Sequence, residues 1–207
     1  MTLDKFEKAK TEMSRAYLIV FVALFSLVIG IEVVNEFNSA TYLPTYLIKN
    51  NHLDQATAAY CQAMLSTATF VGRLVNLYLT MKIDTQTFLF INFGLMIASS
   101  SLIMAVGARS LYGIYAGIVL LGFGYSNAFP MMLALVEERI TMSNRVMATF
   151  NLVSSVFLVL SPITVGKLLD TSPSDFMLLT LTITLVALVV YIALVVLEFR
   201  RMAGQSK

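Results

Sequence analysis

The stretch Gly30-Ile-Glu32-Val-Val-Asn35-Glu36-Phe-Asn38-Ser39-Ala-Thr-Tyr42-Leu-Pro44-Thr-Tyr46 decides how the chain is read. It continues the apolar run from Ala16 to Ile31 with no turn signal before Pro44, so it predicts the outer part of one membrane helix. Glu32, Asn35, Glu36, Ser39, Tyr42 and Tyr46 recur every three or four residues, which sets them on one helical stripe. An ionised Glu near the bilayer centre costs about 2.5 kcal/mol or more, so it is expected to face a water-filled cavity or a partner helix. No other stretch accepts so large a cost, and the functional centre is expected here.

Composition agrees with a membrane solvent. Of 207 residues 58% are hydrophobic and 13% are charged, with a mean hydropathy of +0.81, whereas soluble domains carry about 25% charge. The net charge of +2 says little about partners, because the charges sit in loops and ends; nothing points to nucleic acid. The single cysteine, Cys61, excludes an internal disulfide and a multi-cysteine metal site. The single histidine, His52, reads as a solvated loop residue. There is no phosphate-cradling loop, metal-ligand spacing or nucleophile elbow. The reading is not an enzyme, and no cofactor is expected.

Six apolar segments stand out at roughly 16–47, 57–80, 87–107, 111–136, 146–168 and 176–198. Each is near the ~20 residues that cross a bilayer core as a helix. The alternation of a barrel strand is missing, so helices are the way to satisfy the backbone in lipid. Residues 1–15, of mixed charge, read as a cytoplasmic leader, 16–199 as the six-helix bundle and 200–207 as a cytoplasmic tail. A secretory signal is the alternative for the first run, but no small-residue cleavage site follows before Glu32.

Orientation follows from the cations. Lys5, Lys8, Lys10, Arg15, Arg73, Lys82, Arg139, Arg145, Arg200, Arg201 and Lys207 fall on one side; Lys49, Arg109 and Lys167 fall on the other. The positive-inside rule then places both termini in the cytoplasm. A multi-pass protein of the plasma membrane is expected, with an organelle membrane as the alternative.

The polar content of the segments is uneven. The second carries Gln62, Ser66, Thr69, Arg73, Asn76 and Thr80 at helical spacing; the fourth carries Gly113, Gly117, Gly122, Gly124, Ser126, Asn127 and Pro130; the fifth carries Asn151, Ser154, Ser155 and Pro162. The third and sixth are more uniformly apolar and read as lipid-exposed. This pattern recurs every three segments, and three spans reverse the chain's direction across the membrane. The fold expected is therefore all-α, six transmembrane helices in two inverted three-helix repeats.

Several stretches carry a family likeness. Gly30-Ile-Glu32 and its polar run, Phe70-Val-Gly-Arg73-Leu before Lys82-Ile-Asp84, Leu121-Gly-Phe-Gly-Tyr-Ser-Asn127-Ala-Phe-Pro130 before Val136-Glu-Glu138, and Ser161-Pro-Ile-Thr-Val-Gly-Lys-Leu-Leu-Asp170 occur in order. Together they resemble the C-terminal six-helix half of a major facilitator superfamily transporter, in the fucose and sodium-dependent-glucose transporter-like branch. Asn35-Glu36-Phe37-Asn38 departs from that branch, where a glycine and an aromatic residue follow the Glu. The resemblance implies an alternating-access carrier for a sugar or similar small polar solute, a hexose for example. Its transport would be coupled to H+ or Na+, or facilitative. The partners it implies are a second six-helix half or a second copy. The other reading is a non-transporting membrane interaction protein, or a truncated fragment, that pairs with a full-length relative.

Candidate site residues follow, each with its plainer reading beside it. Glu32 and Glu36 lie one turn apart, and two such carboxylates cannot both ionise cheaply in a low dielectric, so one is expected to hold a proton; the plainer reading makes Glu36 interfacial. Tyr42 is expected to stack on solute or close the outer mouth, like Tyr46, unless both belong to an interfacial belt. Asn35 and Asn127 offer amides to a polar solute, or in the case of Asn127 a bond between helices; Asn151, with Ser154 and Ser155, lines either the cavity or the seam with the other half. For Arg73 the resemblance implies a gating lock at the cytoplasmic end, bonded to a carboxylate or a helix end; the plainer reading is a snorkelling interfacial cation. Pro130 reads as a gating break in the fourth helix, or a tolerated kink.

Overall fold

A computed structural model describes residues 15–107 and 109–205; the leader expected over residues 1–15 lies outside them except for Arg15, which opens the first helix. Those residues form helices α1 (Arg15–Asn51), α2 (Gln55–Leu79), α3 (Thr85–Val106), α4 (Leu111–Tyr125), α5 (Ala128–Arg139), α6 (Asn144–Thr171) and α7 (Asp175–Gln205), with no strand among the described residues. The last helix runs on to Gln205, through the first residues of the expected tail.

Short polar caps fix where helices begin. Asp54 accepts from the Thr57 N–H at 3.1 Å, Asp84 from Gln86 at 3.2 Å, Ser110 from Gly113 at 3.4 Å and Ser143 from Val146 at 3.4 Å. Each satisfies a donor that the first helical turn leaves without a partner. At the other end of α1, His52 takes φ 53° and is exposed, and the Leu53 N–H turns back to the Leu47 carbonyl at 3.3 Å. Hydrogen bonds from Thr57, first its hydroxyl and then its N–H, hold the Asp54 carboxyl below its ordinary 3.8. The cap is therefore in place above the ordinary carboxylate range and is lost as pH falls through the lowered value. Protection of the Thr57 and Ala58 amides against exchange, taken relative to the intrinsic rate at each pH, is expected to fall on that acid limb, and Asp54→Ala to show the lower protection at every pH.

Among the described residues five stretches are long and apolar enough to cross a membrane: Tyr17–Asn51, Thr85–Val106, Leu111–Arg139, Asn144–Thr171 and Asp175–Phe199. Helix α2 forms where the second segment was expected, but Gln62, Ser66, Thr69, Arg73 and Asn76 interrupt its apolar run, and it is not among the five. The fourth segment is two helices, α4 and α5, parted at Ser126 and Asn127, where Asn127 takes φ −136° and ψ 8°. Pro44 and Pro162 lie inside α1 and α6 without ending either helix.

Helix α1 is the centre of the bundle. It packs against α6 and α7, and less extensively against α2 and α5, while α4 packs against α2 and α3. Phe25, Ile29, Leu43 and Leu47 of α1 join Met96, Ile114, Leu121 and Tyr191 in one buried core. Polar ties hold both ends. At one end Lys49 reaches Asp170 at 2.7 Å and Asn51 reaches the Gly107 carbonyl at 2.8 Å. At the other, Thr85 bonds Glu138 at 3.0 Å and Arg139 meets Glu198 at 3.4 Å.

Apolar exposure is not confined to the third and sixth segments, as the sequence predicts. Helix α7 exposes Val189 and Ile192, but α2 also exposes Phe70, Leu74 and Leu77, and α6 exposes Leu152, Val159 and Ile163. Helices α2 and α6 stand on opposite flanks of α1, each with an apolar outer face that no described helix covers.

Candidate functional site

The polar residues of α1 bond outward to four different helices. Asn35 donates from Nδ2 to the Thr184 hydroxyl of α7 at 2.9 Å. Asn38 accepts through Oδ1 from the Ser161 hydroxyl of α6. Ser39 shares a hydrogen bond with the Tyr125 hydroxyl of α4 at 2.9 Å. Glu36 accepts from the Arg73 guanidinium of α2 at 3.4 Å. Helices pack around α1, so the stripe expected to be wet is mostly an internal surface, and one edge of it stays open.

Glu36 is that edge. It lines a cleft of about 630 Å³ together with Arg73, Tyr125, Pro130, Asn151 and Ser155. A smaller pocket of about 220 Å³ shares Glu36, Arg73 and Tyr125 and adds Ser66 and Thr69 of α2. The Glu36–Arg73 pair thus stands between two adjoining spaces. Both side chains stay partly open, 34% and 56% exposed respectively.

Arg73 does more than pair with Glu36. Pro130 has no N–H, so it cannot bond the Ser126 carbonyl four residues back as a helix requires. Arg73 Nε takes that carbonyl at 3.2 Å. Asn76 Nδ2 meanwhile donates to the Ser126 hydroxyl at 2.5 Å, and that hydroxyl donates to the Phe123 carbonyl at 2.6 Å. The break between α4 and α5 is therefore stitched to α2 by Arg73 and Asn76. Arg73 thus bonds both a carboxylate and a helix end.

The cleft brings together Glu36, Asn151, Arg73 and Pro130 of the sequence-predicted residues. Glu32 and Asn35, expected on the same wet face, are buried inside the bundle instead, Asn35 against Thr184 of α7. Tyr42 is half-buried against the core. Tyr46 is buried, with its ring 5.4 Å from that of Phe176 and its hydroxyl accepting from Asn50 at 3.2 Å. Neither tyrosine lines the cleft. Asn127 caps α5 without a side-chain bond and lies at the break rather than on the cleft.

Tyr125 is the residue that sequence reasoning missed. A tyrosine in a membrane helix reads first as an interfacial anchor, yet this one is buried with its hydroxyl paired to Ser39. Its one sequence signal is its position directly before Ser126 and Asn127, in a glycine-rich turn where a large side chain has room to turn inward.

Helices of this length, joined by short loops and carrying a polar cleft, describe a membrane bundle without naming its lineage. Comparison supplies it: the model of the Major Facilitator Superfamily matches residues 4–162, more than half the chain. The chain belongs to the Major Facilitator Superfamily. It is an integral multi-pass membrane protein of a superfamily whose members are transporters rather than enzymes. Among curated proteins it is similar to major facilitator superfamily domain-containing protein 4A of Xenopus tropicalis, at 26% identity over 170 residues. That alignment covers 80% of this chain and 33% of the relative, so the chain spans about a third of that protein's length.

Proposed function

We propose that this bundle is one half of an alternating-access carrier for a small polar solute such as a hexose, moved by coupling to a cation. In this reading six spans cross the membrane as two inverted three-helix repeats, both termini face the cytoplasm, and a second six-helix half or a second copy closes the cleft. The packing supports a repeat, since α1 lies on α6 much as α4 lies on α2, and α7 lies on α1 much as α3 lies on α4. The observation that carries the proposal is the Glu36–Arg73 pair, 3.4 Å apart in an open cleft and flanked by Asn151 and Ser155.

A carboxylate accepts hydroxyl hydrogens, a guanidinium donates in a fixed fork, and an amide does both, which suits a ring of vicinal hydroxyls. The cleft volume lies within the ~300–1,000 Å³ usual for small-molecule sites. Because each side chain is partly exposed, the ion pair itself contributes little stability, and a solute can take over its bonds at small cost.

Uptake of labelled hexoses into lipid vesicles tests this, with the chain alone and with an N-terminal six-helix half. Glu36→Ala and Asn151→Ala are each expected to lower uptake at subsaturating solute by about tenfold, the worth of one good hydrogen bond to a polar group. Unchanged uptake in both variants would remove the cleft from the transport path.

A further inference from the structure

Helices α6 and α7 both pack on α1 but touch each other only slightly, so a strip of the central helix opens between them. The opening is a groove of about 300 Å³, with Ile31, Val34 and Asn38 of α1 as its floor and α6 and α7 as its walls. Its rims, Leu160 and Val186, are exposed, and both walls belong to stretches that cross a membrane, so the solvent at the mouth is hydrocarbon. The groove shares no residue with the solute cleft. On α6 Asn151, Ser155 and Leu158 face the cleft, whereas Phe157, Ser161 and Thr164 face the groove.

One group in the groove does not match that solvent. Asn38 is 3% exposed; its Oδ1 accepts from the Ser161 hydroxyl, and its Nδ2 has no partner among the described residues. Ser161 lies ten residues before Thr171, the end of α6. That is ~15 Å of helix, or half of a ~30 Å hydrocarbon core. No water or headgroup stands at that depth to accept from the amide, and an unmade donor in hydrocarbon is costly. Thr164 and Thr182 turn their hydroxyl hydrogens to carbonyls of their own helices, at 2.9 and 2.8 Å, and add no further donor. The groove thus presents a single free donor inside an apolar shell.

We infer that this groove binds a small, uncharged, largely apolar carbonyl compound, which enters sideways from the bilayer and accepts from Asn38 Nδ2. The shell turns away charge, because no counter-ion lines it. The volume lies at the small end of the ~300–1,000 Å³ usual for small-molecule sites. A bilayer phospholipid carries its ester carbonyls at the edge of the hydrocarbon core, so its chain reaches this depth with methylenes alone. The site does not depend on the carrier reading above.

Fluorescence quenching in lipid vesicles tests this. The chain has no tryptophan, so Leu160→Trp at the exposed rim supplies a single reporter. Bromononyl methyl ketone is expected to quench it saturably, and bromoundecane, its equal in chain length, to need about a tenfold higher bilayer content for equal quenching. Excess methyl nonyl ketone should relieve the quenching, and undecane should not. In the same reporter Asn38→Leu should make the two bromides equal, and Val186→Phe, which narrows the mouth from the lipid side, should abolish saturation. Quenching by both bromides that rises without saturating shows an ordinary lipid-facing surface and overturns the inference. Saturable quenching of equal strength by the two shows a seat for any acyl chain and overturns it as well. No quenching by either means that another polypeptide covers the groove, which is equally fatal. The comparison of ketone with alkane needs only Leu160→Trp, so it decides the matter even where Asn38→Leu does not fold.

Discussion

Arg73→Met is expected to destabilise the bundle by about 2 kcal/mol, and by less than half of that when Pro130→Ala is already present. The reason is a single carbonyl. Ser126 O sits four residues before Pro130 and can have no helical donor, and Arg73 Nε supplies one from the neighbouring helix at 3.2 Å. Removing the guanidinium leaves that carbonyl unpaired within the bundle, at a cost of about 1–3 kcal/mol. Alanine at position 130 restores an N–H that can close the α4–α5 break, so the guanidinium then has less to do. The other contact of Arg73, to Glu36, joins partly exposed groups and contributes about 1 kcal/mol or less in either background. A double-mutant cycle on the unfolding midpoint in detergent, followed by circular dichroism, separates the two contributions. Equal losses in both backgrounds would mean that Arg73 acts through Glu36 alone and that the break does not depend on it. Uptake should track the first step of the cycle, since Arg73 also lines both spaces beside Glu36.

Much of this arrangement is legible in the chain before it folds, because hydrocarbon solvent leaves few choices. Apolar length places the helices, and cap residues such as Asp54, Asp84 and Ser143 mark where they start. Glu36 and Arg73 stand out as charges that an oily helix tolerates only with a partner, and they prove to be each other's partner. Spacing does not reveal which side of α1 is covered. Glu32 and Glu36 share a stripe in sequence, yet one is buried while the other faces the cleft, and that choice belongs to helix packing. Pro130 announces a break but not its site, which lies at Ser126 and Asn127 because the carbonyl a proline orphans is four residues upstream. Tyr125 hides for a related reason: its inward turn depends on the break beside it, which no local pattern encodes.

The glycines of α4 carry the second large effect, and Gly122→Ala is expected to cost about 3 kcal/mol or more. A methyl group there would lie 2.7 Å from the Ala68 Cβ, 2.9 Å from the Leu65 carbonyl oxygen and 3.0 Å from the Thr69 nitrogen. Two of these three are backbone atoms of α2, so no rotamer change relieves the clash and the helices must part. Gly113 is also closely packed: a methyl group there would lie 2.5 Å from the Val106 Cγ1 and 3.1 Å from its Cβ, and a helical valine has essentially one rotamer, but no backbone atom of another helix stands in the way. Gly94→Ala provides the opposite control. Nothing lies within 4 Å of its added methyl, so the gain in helix propensity, about 0.5–1 kcal/mol, should appear undiminished. Unfolding midpoints in detergent should therefore rank Gly94→Ala above the unmodified chain, Gly113→Ala below it and Gly122→Ala lowest. A Gly122→Ala protein that unfolds with the unmodified chain would show that α2 and α4 are not in close contact. The consequence would reach the cleft. Arg73 and Asn76 meet Ser126 only because Gly72 and Gly122 let the two helices approach, with a methyl group at Gly72 falling 2.7 Å from the Ser126 Cβ. Pushing α2 outward should thus release the Ser126 carbonyl and draw Arg73 away from Glu36. Gly122→Ala should lose solute uptake even in membranes where it remains inserted.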